Sequence, residues 1–442
     1  MLTFKNGIHP YEGKELSKNK EFKEINPDKV VVFPMSQHLG TPANPVVKVG
    51  DRVLVGQIIG EASGVISANV LSSVSGVVKA IENREVIGGN FIESIIIDND
   101  ERYDTIDGYG EDKDYKTLSN DEILNIIKNS GIVGLGGAGF PTHVKLMPKE
   151  PDNIDYIIVN GAECEPYLTS DYRLMIEETD MLIKGLEVML KVLPKAKGLI
   201  CIEDNKIDAY NIINEKLKSN LSINTCLLKT KYPQGGERQI IYAVTGRKIN
   251  SKMLPADVGV IVDNVNTVIA IGYAVTKSIP LVYRHMTLSG DSFNETGNYK
   301  VRLGISYREL LEKCGGFKNE PKMMISGGPM MGIPLYNLDI PVSKSSSAFL
   351  AFNYDPKISE IETNCIRCGK CSDACPVYLT PNKMLVYAKR NDFEEYLKLN
   401  GQECISCGCC SYVCPAKKPL TPYFQYMKAN MRRYLDSRKQ VK

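Results

Sequence analysis

Tryptophan is absent from this sequence, and its 442 residues carry no excess of either charge, with 54 basic side chains facing 52 acidic ones. A net charge of +2 gives no global reason to expect nucleic acid as a partner. Long apolar runs are missing too. The most apolar stretch, Val258 to Val275, is interrupted by Asp263, Asn264 and Asn266, short of the about 20 apolar residues that a membrane helix needs. The polar start Met1-Leu-Thr-Phe-Lys-Asn-Gly has no apolar h-region, so neither a signal peptide nor an oxidising compartment is expected. At 43% hydrophobic and 24% charged, the composition excludes disorder, collagen and coiled coil for the bulk of the chain. The length argues for about two to four domains.

What the chain does have is cysteine, and unevenly placed. Of thirteen, only Cys164, Cys201, Cys226 and Cys314 precede residue 360; nine lie between Cys365 and Cys414. Clustered thiols in a reducing compartment read as metal ligands before disulfides. The run Cys365-x2-Cys368-x2-Cys371-x3-Cys375-Pro is repeated as Cys404-x2-Cys407-x2-Cys410-x3-Cys414-Pro. This is the two-cluster ferredoxin pattern, in which the fourth cysteine crosses to the other cubane. The expected sets are therefore Cys365, Cys368, Cys371 and Cys414 for one [4Fe–4S] cluster, and Cys404, Cys407, Cys410 and Cys375 for the other. Two structural zinc sites are the alternative. Zinc ribbons space two C-x2-C knuckles far apart, whereas here four thiols fall within eleven residues, twice. Cys409 reads as a small buried bystander, and the four upstream cysteines as packing residues.

Val46 to Ile81 is Val/Ile-rich and broken by glycine turns, which predicts a compact all-β module. Asp98 to Asp114 carries eight acids and two bases and reads as a solvated linker. At Ser119-Asn-Asp-Glu122 a capping box opens a helix with Ile123, Ile126 and Ile127 on one face and Gly131 as its stop. Strand-like runs at Tyr156–Val159, Leu199–Ile202 and Thr225–Leu228 alternate with helical segments, one presenting Leu182, Leu186, Met189 and Leu193. That alternation predicts an α/β domain with a largely parallel sheet. From Ile279 the texture returns to β, with a helix at Ser306–Cys314 and a glycine-rich turn at Ser326–Gly332. Ser343-Lys-Ser-Ser-Ser347 reads as a linker.

Gly134-Leu-Gly-Gly-Ala-Gly-Phe-Pro-Thr142, with Lys145 after it, has four glycines whose backbone N–H groups face no Cβ obstruction to a phosphate. It is neither a Walker A loop nor a Rossmann fingerprint. Asn160-Gly-Ala-Glu-Cys-Glu-Pro166 follows a strand, where open α/β sheets bind ligands. Tyr232-Pro-Gln-Gly-Gly-Glu237 and Val262-Asp-Asn-Val-Asn-Thr267 come later. Together these four motifs resemble, in the same order, those of the flavin-bearing subunit of respiratory complex I and its hydrogenase and formate dehydrogenase relatives. The resemblance covers about residues 130–270 and implies bound FMN, with NAD(H) as substrate. It assigns Gly134, Gly136 and Lys145 to the FMN phosphate, and Asn160, Glu163, Asn264 and Thr267 to the flavin. Phe140 is assigned to the adenine, and Glu165 and Glu237 to the nicotinamide nucleotide as the catalytic pair. Gly137, Gly139 and Gly235 complete the cofactor-binding set. The chain departs from the family at Leu135, which stands for arginine, Ala162 for aspartate, Gly236 for glutamate and Asn266 for glutamate.

End to end, including Gly7-Ile-His-Pro-Tyr-Glu-Gly-Lys14 and Ser36-Gln-His-Leu-Gly40, the chain is similar to the C subunits of Rnf ion-translocating ferredoxin:NAD+ oxidoreductase complexes. The resemblance implies a multidomain α/β protein. Its expected parts are an N-terminal segment with a lipoyl-like barrel-sandwich hybrid (1–110), a Rossmann-like α/β FMN/NADH domain (111–278), an SLBB-like β-grasp module (279–345) and a helical, ferredoxin-like two-cluster domain with a basic tail (346–442). It further implies an electron-transfer subunit of a translocase: hydride exchange between NAD(H) and FMN, single electrons through two clusters, and ion movement in other subunits. Expected partners are the other Rnf membrane and ferredoxin-like subunits and ferredoxin, with membrane contact only through them, at the cytoplasmic face. No lysine lies in the hairpin between Gly60 and Ser75, so a covalent carrier role is not expected. His9 and His38 read as loop-packing residues. The rival readings are a cobalamin reductase, a soluble diaphorase subunit, or a ferredoxin-like scaffold with no nucleotide site. Cobalamin reductases place the barrel-like module last; here it comes first, which favours the Rnf reading.

Overall fold

The glycine-punctuated stretch near the N-terminus folds as two facing antiparallel sheets. One runs Val30–Pro34, Phe91–Asn99, Gly76–Glu85, Arg52–Val53, and the other Asn44–Pro45, Ile58–Glu61, Val70–Leu71. Alternation puts Val31, Phe33, Val78, Ile95 and Ile97 inside, as the period of two requires. This computed structural model describes residues 1–355 and 360–440, without the side chains of residues 432, 437, 439 and 440, so the basic tail lies partly outside the described residues.

The acid-rich stretch expected as a solvated linker is a correction. Asp98 and Asn99 end the strand Phe91–Asn99. Arg52 then holds Asp100 at 2.8 Å and Asp104 at 2.7 Å, while Thr105 bridges Val55. One arginine, from the strand Arg52–Val53, pairs with two of the acids and folds the stretch back on the barrel.

The α/β domain begins with the capped helix Asn120–Asn129: Ser119 accepts from Glu122 N, and the Glu122 carboxylate accepts from Ser119 N at 2.7 Å. Ile123 and Ile127 are fully buried. Four parallel strands follow in the spatial order Ile223–Leu228, Lys197–Glu203, Tyr156–Gly161, Val260–Asn264. Chain order reverses between the last two, so the topological switch point lies between Tyr156–Gly161 and Val260–Asn264. Behind them the helices Thr179–Val192 and Val265–Lys277 cross at Gly185, where a Cβ would stand 1.9 Å from the Val268 carbonyl oxygen. No larger residue permits that approach.

The β-grasp sheet runs Phe22–Ile25, Gly297–Arg302, Tyr283–Ser289, Ala348–Phe352, Met323–Ser326, Ile333–Pro334. Two expectations give way here. The strand Ala348–Phe352 lies inside this sheet, past the expected boundary at residue 345, and the supposed serine linker is packed. Lys344 is 1% exposed and donates to the carbonyls of Asn69 (2.5 Å) and Gly131 (2.7 Å), joining β-grasp, barrel and α/β domain. Residues 1–25, the N-terminal segment ahead of the barrel strands, pair outside the two barrel sheets. Leu2 N donates to Leu227 O, Ile8 N to Tyr232 O and Gly7 N to Ala374 O, and Phe22–Ile25 is an edge strand of the β-grasp. The first residues form an arm across three modules.

The cysteine-rich module has short helices Lys370–Asp373 and Cys409–Tyr412, then Pro381–Lys389, Phe393–Lys398 and Leu420–Gln440, around Met384, Tyr396, Phe424 and Met427. Its two halves repeat in backbone as well as sequence. Arg367 and Ser406 (φ 56° and 55°), Gly369 and Gly408 (80° and 84°), and Tyr378 and Lys417 (59° and 52°) are left-handed at matching positions. Among the described residues no helix is long and apolar enough to cross a membrane.

Candidate functional site

At the switch point Asn160 and Asn264 are register partners on neighbouring parallel strands. The glycine-rich loop lies against this edge. A Cβ on Gly136 would meet the Asn264 Cβ at 2.7 Å, while Gly137 has nothing within 4 Å and both are exposed. Leu135 N donates to Thr267 Oγ1 at 2.9 Å, fastening the loop to the first turn of the helix Val265–Lys277. A helix N-terminus, bare backbone and open space meet here, the surroundings that favour a phosphate.

The other expected site residues fall into two groups. Gly134, Gly139 and Phe140 shape the loop: Gly134 N donates to Phe140 O, and Gly139 (φ 70°) accepts from Leu39 N, so Ser36–Gly40 clasps the loop from the barrel side. Lys145 donates to Val262 O and Asp263 Oδ1, both at 2.8 Å. Glu237 opens the helix Glu237–Thr245 and is reached by solvent; partial enclosure pushes its carboxyl up, with Lys145 opposing and Asp263 adding. Asn160 donates to Gly235 O at 2.8 Å and accepts from Ala162 N, which ties the two loops together.

Glu163 does not reach into the crevice. Its carboxylate takes Asp171 N at 2.7 Å and Tyr172 N at 3.3 Å, at the start of the helix Ser170–Glu177. Burial pushes it up to about 7, with Lys14 opposing and Asp171 adding. Asp171 in turn accepts from Asn264 Nδ2 at 2.6 Å. The sequence missed this second layer: Lys14, Lys206, Asp171 and Arg284. Lys14 stood in a quoted N-terminal motif; the rest had no local signal. Arg284, 2% exposed, donates to Leu135 O from the β-grasp side, and its buried Nε and Nη1 have no partner among the described residues. Buried Asn266 Nδ2 and Asp263 Oδ2 at this edge likewise have no partner among the described residues. The orphaned N–H groups of Arg284 and Asn266, beside a bare loop at the switch point, fit a bound mononucleotide.

Glu165 lies at the border with the cysteine-rich module. It accepts from Met330 N at 3.0 Å, and burial pushes it up to about 7. The turn Ser326–Gly332 approaches so closely that a Cβ on Gly328 would strike Glu165. Tyr232, 1% exposed, donates from its hydroxyl to Cys407 O at 2.7 Å and stands 3.3 Å from Glu165 Oε1.

Beyond Tyr232 lies a pocket lined by Cys375, Cys404, Cys407 and Cys410, together with Met384 and Phe424. Cys409, fully buried, lines it as well. Among the described residues no three His, Cys, Asp or Glu groups converge as they would around a single ion. Thiols spread around a cavity fit a cubane, where each meets its own iron, better than one tetrahedral zinc. Cys365 and Cys368 are exposed, while Cys371 and Cys414 are half-buried neighbours. His9 is exposed. His38 bonds Thr41 O (2.9 Å) and Ser67 (3.2 Å) within the barrel. Cys201 and Cys226 face each other across adjacent strands.

Comparison with known proteins matches this architecture module by module. Residues 2–102 match the RnfC barrel sandwich hybrid domain, 127–273 the Nuo51 FMN-binding domain, 286–334 the SLBB domain and 362–418 the 4Fe-4S dicluster domain. The C subunit of the proton-translocating ferredoxin:NAD(+) oxidoreductase complex of Clostridium ljungdahlii is 42% identical over 435 residues, covering 98% of this chain and 94% of the relative. Its counterpart in the Na(+)-translocating ferredoxin:NAD(+) oxidoreductase complex of Acetobacterium woodii is 42% identical over 421 residues, covering 95% and 94%. The C subunit of the ion-translocating oxidoreductase complex of Rhodobacter capsulatus is 36% identical over 441 residues, covering 97% and 83%. Among solved structures, NAD+-reducing [NiFe]-hydrogenase in the H2-reduced state superposes with a TM-score of 0.51 at 17% identity, over 72% of this chain and 62% of that one. That likeness is one of fold, and the chain spans less than two thirds of the hydrogenase chain.

Proposed function

The chain belongs to the family of C subunits of Rnf-type ion-translocating oxidoreductase complexes, and from that premise we propose that it exchanges a hydride with NAD(H) at the switch-point crevice and electrons with ferredoxin through its partner subunits. Its cofactors are FMN and two [4Fe–4S] clusters. FMN, when bound, converts between the two-electron chemistry of NAD(H) and the one-electron chemistry of iron–sulfur clusters.

The chain's own residues do the rest. Gly134, Gly136, Gly137 and Lys145 bind the FMN phosphate end, and Asn264 and Thr267 hold the loop against the switch point. Asn160 and Gly235 fix the opposite wall. Phe140 and Glu237 are placed for the dinucleotide, and Glu165 closes the crevice on the side of the clusters. Cys375, Cys404, Cys407 and Cys410 hold the inner cluster, and Cys365, Cys368, Cys371 and Cys414 the outer one. The observation that carries this reading is Tyr232: its hydroxyl lies between Glu165 of the crevice and the carbonyl of Cys407, so the two sites share a wall. Translocation itself falls to partner subunits, since no described helix is suited to cross a membrane; the chain sits on them at the cytoplasmic face.

The test is a cofactor and reduction assay on the purified chain. About eight iron and one FMN per chain are expected, with NADH bleaching the flavin and then generating a cluster EPR signal. Bound FMN that NADH does not bleach would overturn the hydride step and leave a ferredoxin-like scaffold.

A further inference from the structure

Glu12-Gly-Lys14, at the end of the N-terminal motif, is threaded under the crevice. Glu12 O accepts from Tyr167 N at 2.7 Å, and the Glu12 carboxylate accepts from Asn205 Nδ2 at 2.7 Å. Gly13 is left-handed (φ 60°), and a Cβ there would stand 2.4 Å from the Tyr167 ring. The arm thus delivers Lys14, 8% exposed, into the interior. Its ammonium donates to the carbonyls of Glu163 (2.8 Å), Glu165 (3.1 Å) and Leu168 (2.5 Å) and stands 3.9 Å from Glu163 Oε2.

Those carbonyls belong to the loop that leaves the switch point. Lys206 pins the start of the same loop, donating to Ala162 O at 2.7 Å with Glu203 beside it at 3.4 Å. From Lys14 the polar contacts continue through Glu163 to Asp171 N, and from the Asp171 carboxylate to Asn264, the residue beneath Gly136. Burying a cation is costly: burial draws Lys14 below its ordinary value, with Glu163 opposing. The charge itself therefore calls for a role. Two-electron reduction at neutral pH adds net negative charge to a flavin ring, and protein charges near the ring tune its electronics.

Resting on the FMN reading above, we propose that Lys14 is a positioning residue of the flavin crevice: it fixes the Ala162–Leu168 loop and keeps a buried positive charge beside Glu163 that favours the reduced flavin. Asp171, Glu203, Lys206 and Arg284 surround the pair and share its electrostatics.

The test is the midpoint potential of bound FMN in the whole chain, by redox titration of the flavin absorbance. Lys14→Gln, which keeps a donor, and Lys14→Met, which keeps the stem, should both lower the potential. Lys14→Met should also weaken FMN binding by about ten-fold through the freed loop. Glu163→Gln should shift the potential the other way, because it leaves the lysine charge uncompensated. That variant serves if Lys14→Met does not fold. A lysine that only supports the fold would lower the melting temperature and leave the potential unchanged, which would overturn the proposal. So would a Glu163→Gln potential at or below wild type. Wild-type chain without FMN would instead overturn the reading on which the proposal rests.

Discussion

Arg284 and Leu135, from different modules, meet through one hydrogen bond, Nη2 to the carbonyl oxygen at 2.5 Å. Leu135 holds the position that is arginine in the complex I flavin motif, and here it is a buried aliphatic residue. A guanidinium arrives at the same loop from the β-grasp strand Tyr283–Ser289 instead. Two of its buried nitrogens have no partner among the described residues, which suits an anion at the loop. Arg284→Leu should weaken FMN binding to apo-chain by about ten- to a hundred-fold, read by flavin fluorescence titration. An unchanged affinity would assign Arg284 to packing alone.

The crossed cluster sets make a separable prediction. Cys375→Ser and Cys404→Ser should each remove the inner cluster, lowering iron from about eight to about four per chain and leaving the same residual EPR spectrum. Cys414→Ser should leave the other spectrum, shared with Cys365→Ser. If Cys375→Ser instead resembles Cys365→Ser, each run holds its own cluster and the crossing is wrong.

Tyr232→Phe removes one hydroxyl from the shared wall. The buried Cys407 carbonyl loses its partner, a cost of about 1–3 kcal/mol in stability. Flavin bleaching by NADH should keep its wild-type rate, whereas the following appearance of the cluster signal slows in stopped-flow measurements. Equal slowing of both steps would place Tyr232 in the hydride site rather than between the sites.

Lys344 predicts a pH dependence. Burial pushes its ammonium from 10.5 in the open chain down to about 7. Between those values the unfolded chain binds a proton that the folded chain does not, so this site's contribution rises by ~1.4 kcal/mol per pH unit. It is complete above 10.5 and lost as pH falls through about 7. Lys344→Met should flatten that slope, measured as melting temperatures at about pH 7 and about pH 9. Parallel profiles for wild type and variant would show that the group stays charged in its site.

Much of this was legible because it is local. The cysteine runs, the capping box at Ser119 and the four loop motifs each announce themselves within a dozen residues. The parallel sheet followed from the alternation of strands and helices, but its strand order, and with it the switch point, did not. What escaped depended on partners far away in sequence. The serines around Lys344 read as a linker because the carbonyls of Asn69 and Gly131 that bury the lysine lie more than 200 residues upstream. Asp100 and Asp104 read as solvated because Arg52 is invisible to a count of neighbouring charges. Glu163 fits its motif, yet its carboxylate serves the next helix, which a motif match does not reveal.

The N-terminal arm bears on the order in which the molecule is made. Domains generally fold as they leave the ribosome, N-terminal first. Residues 1–8 precede their backbone partners Leu227, Tyr232 and Ala374 by more than 200 residues. The segment's pairs with Leu227 and Tyr232 need the α/β domain, and the bond from Gly7 to Ala374 forms only once the cysteine-rich module has emerged, so that contact closes the structure.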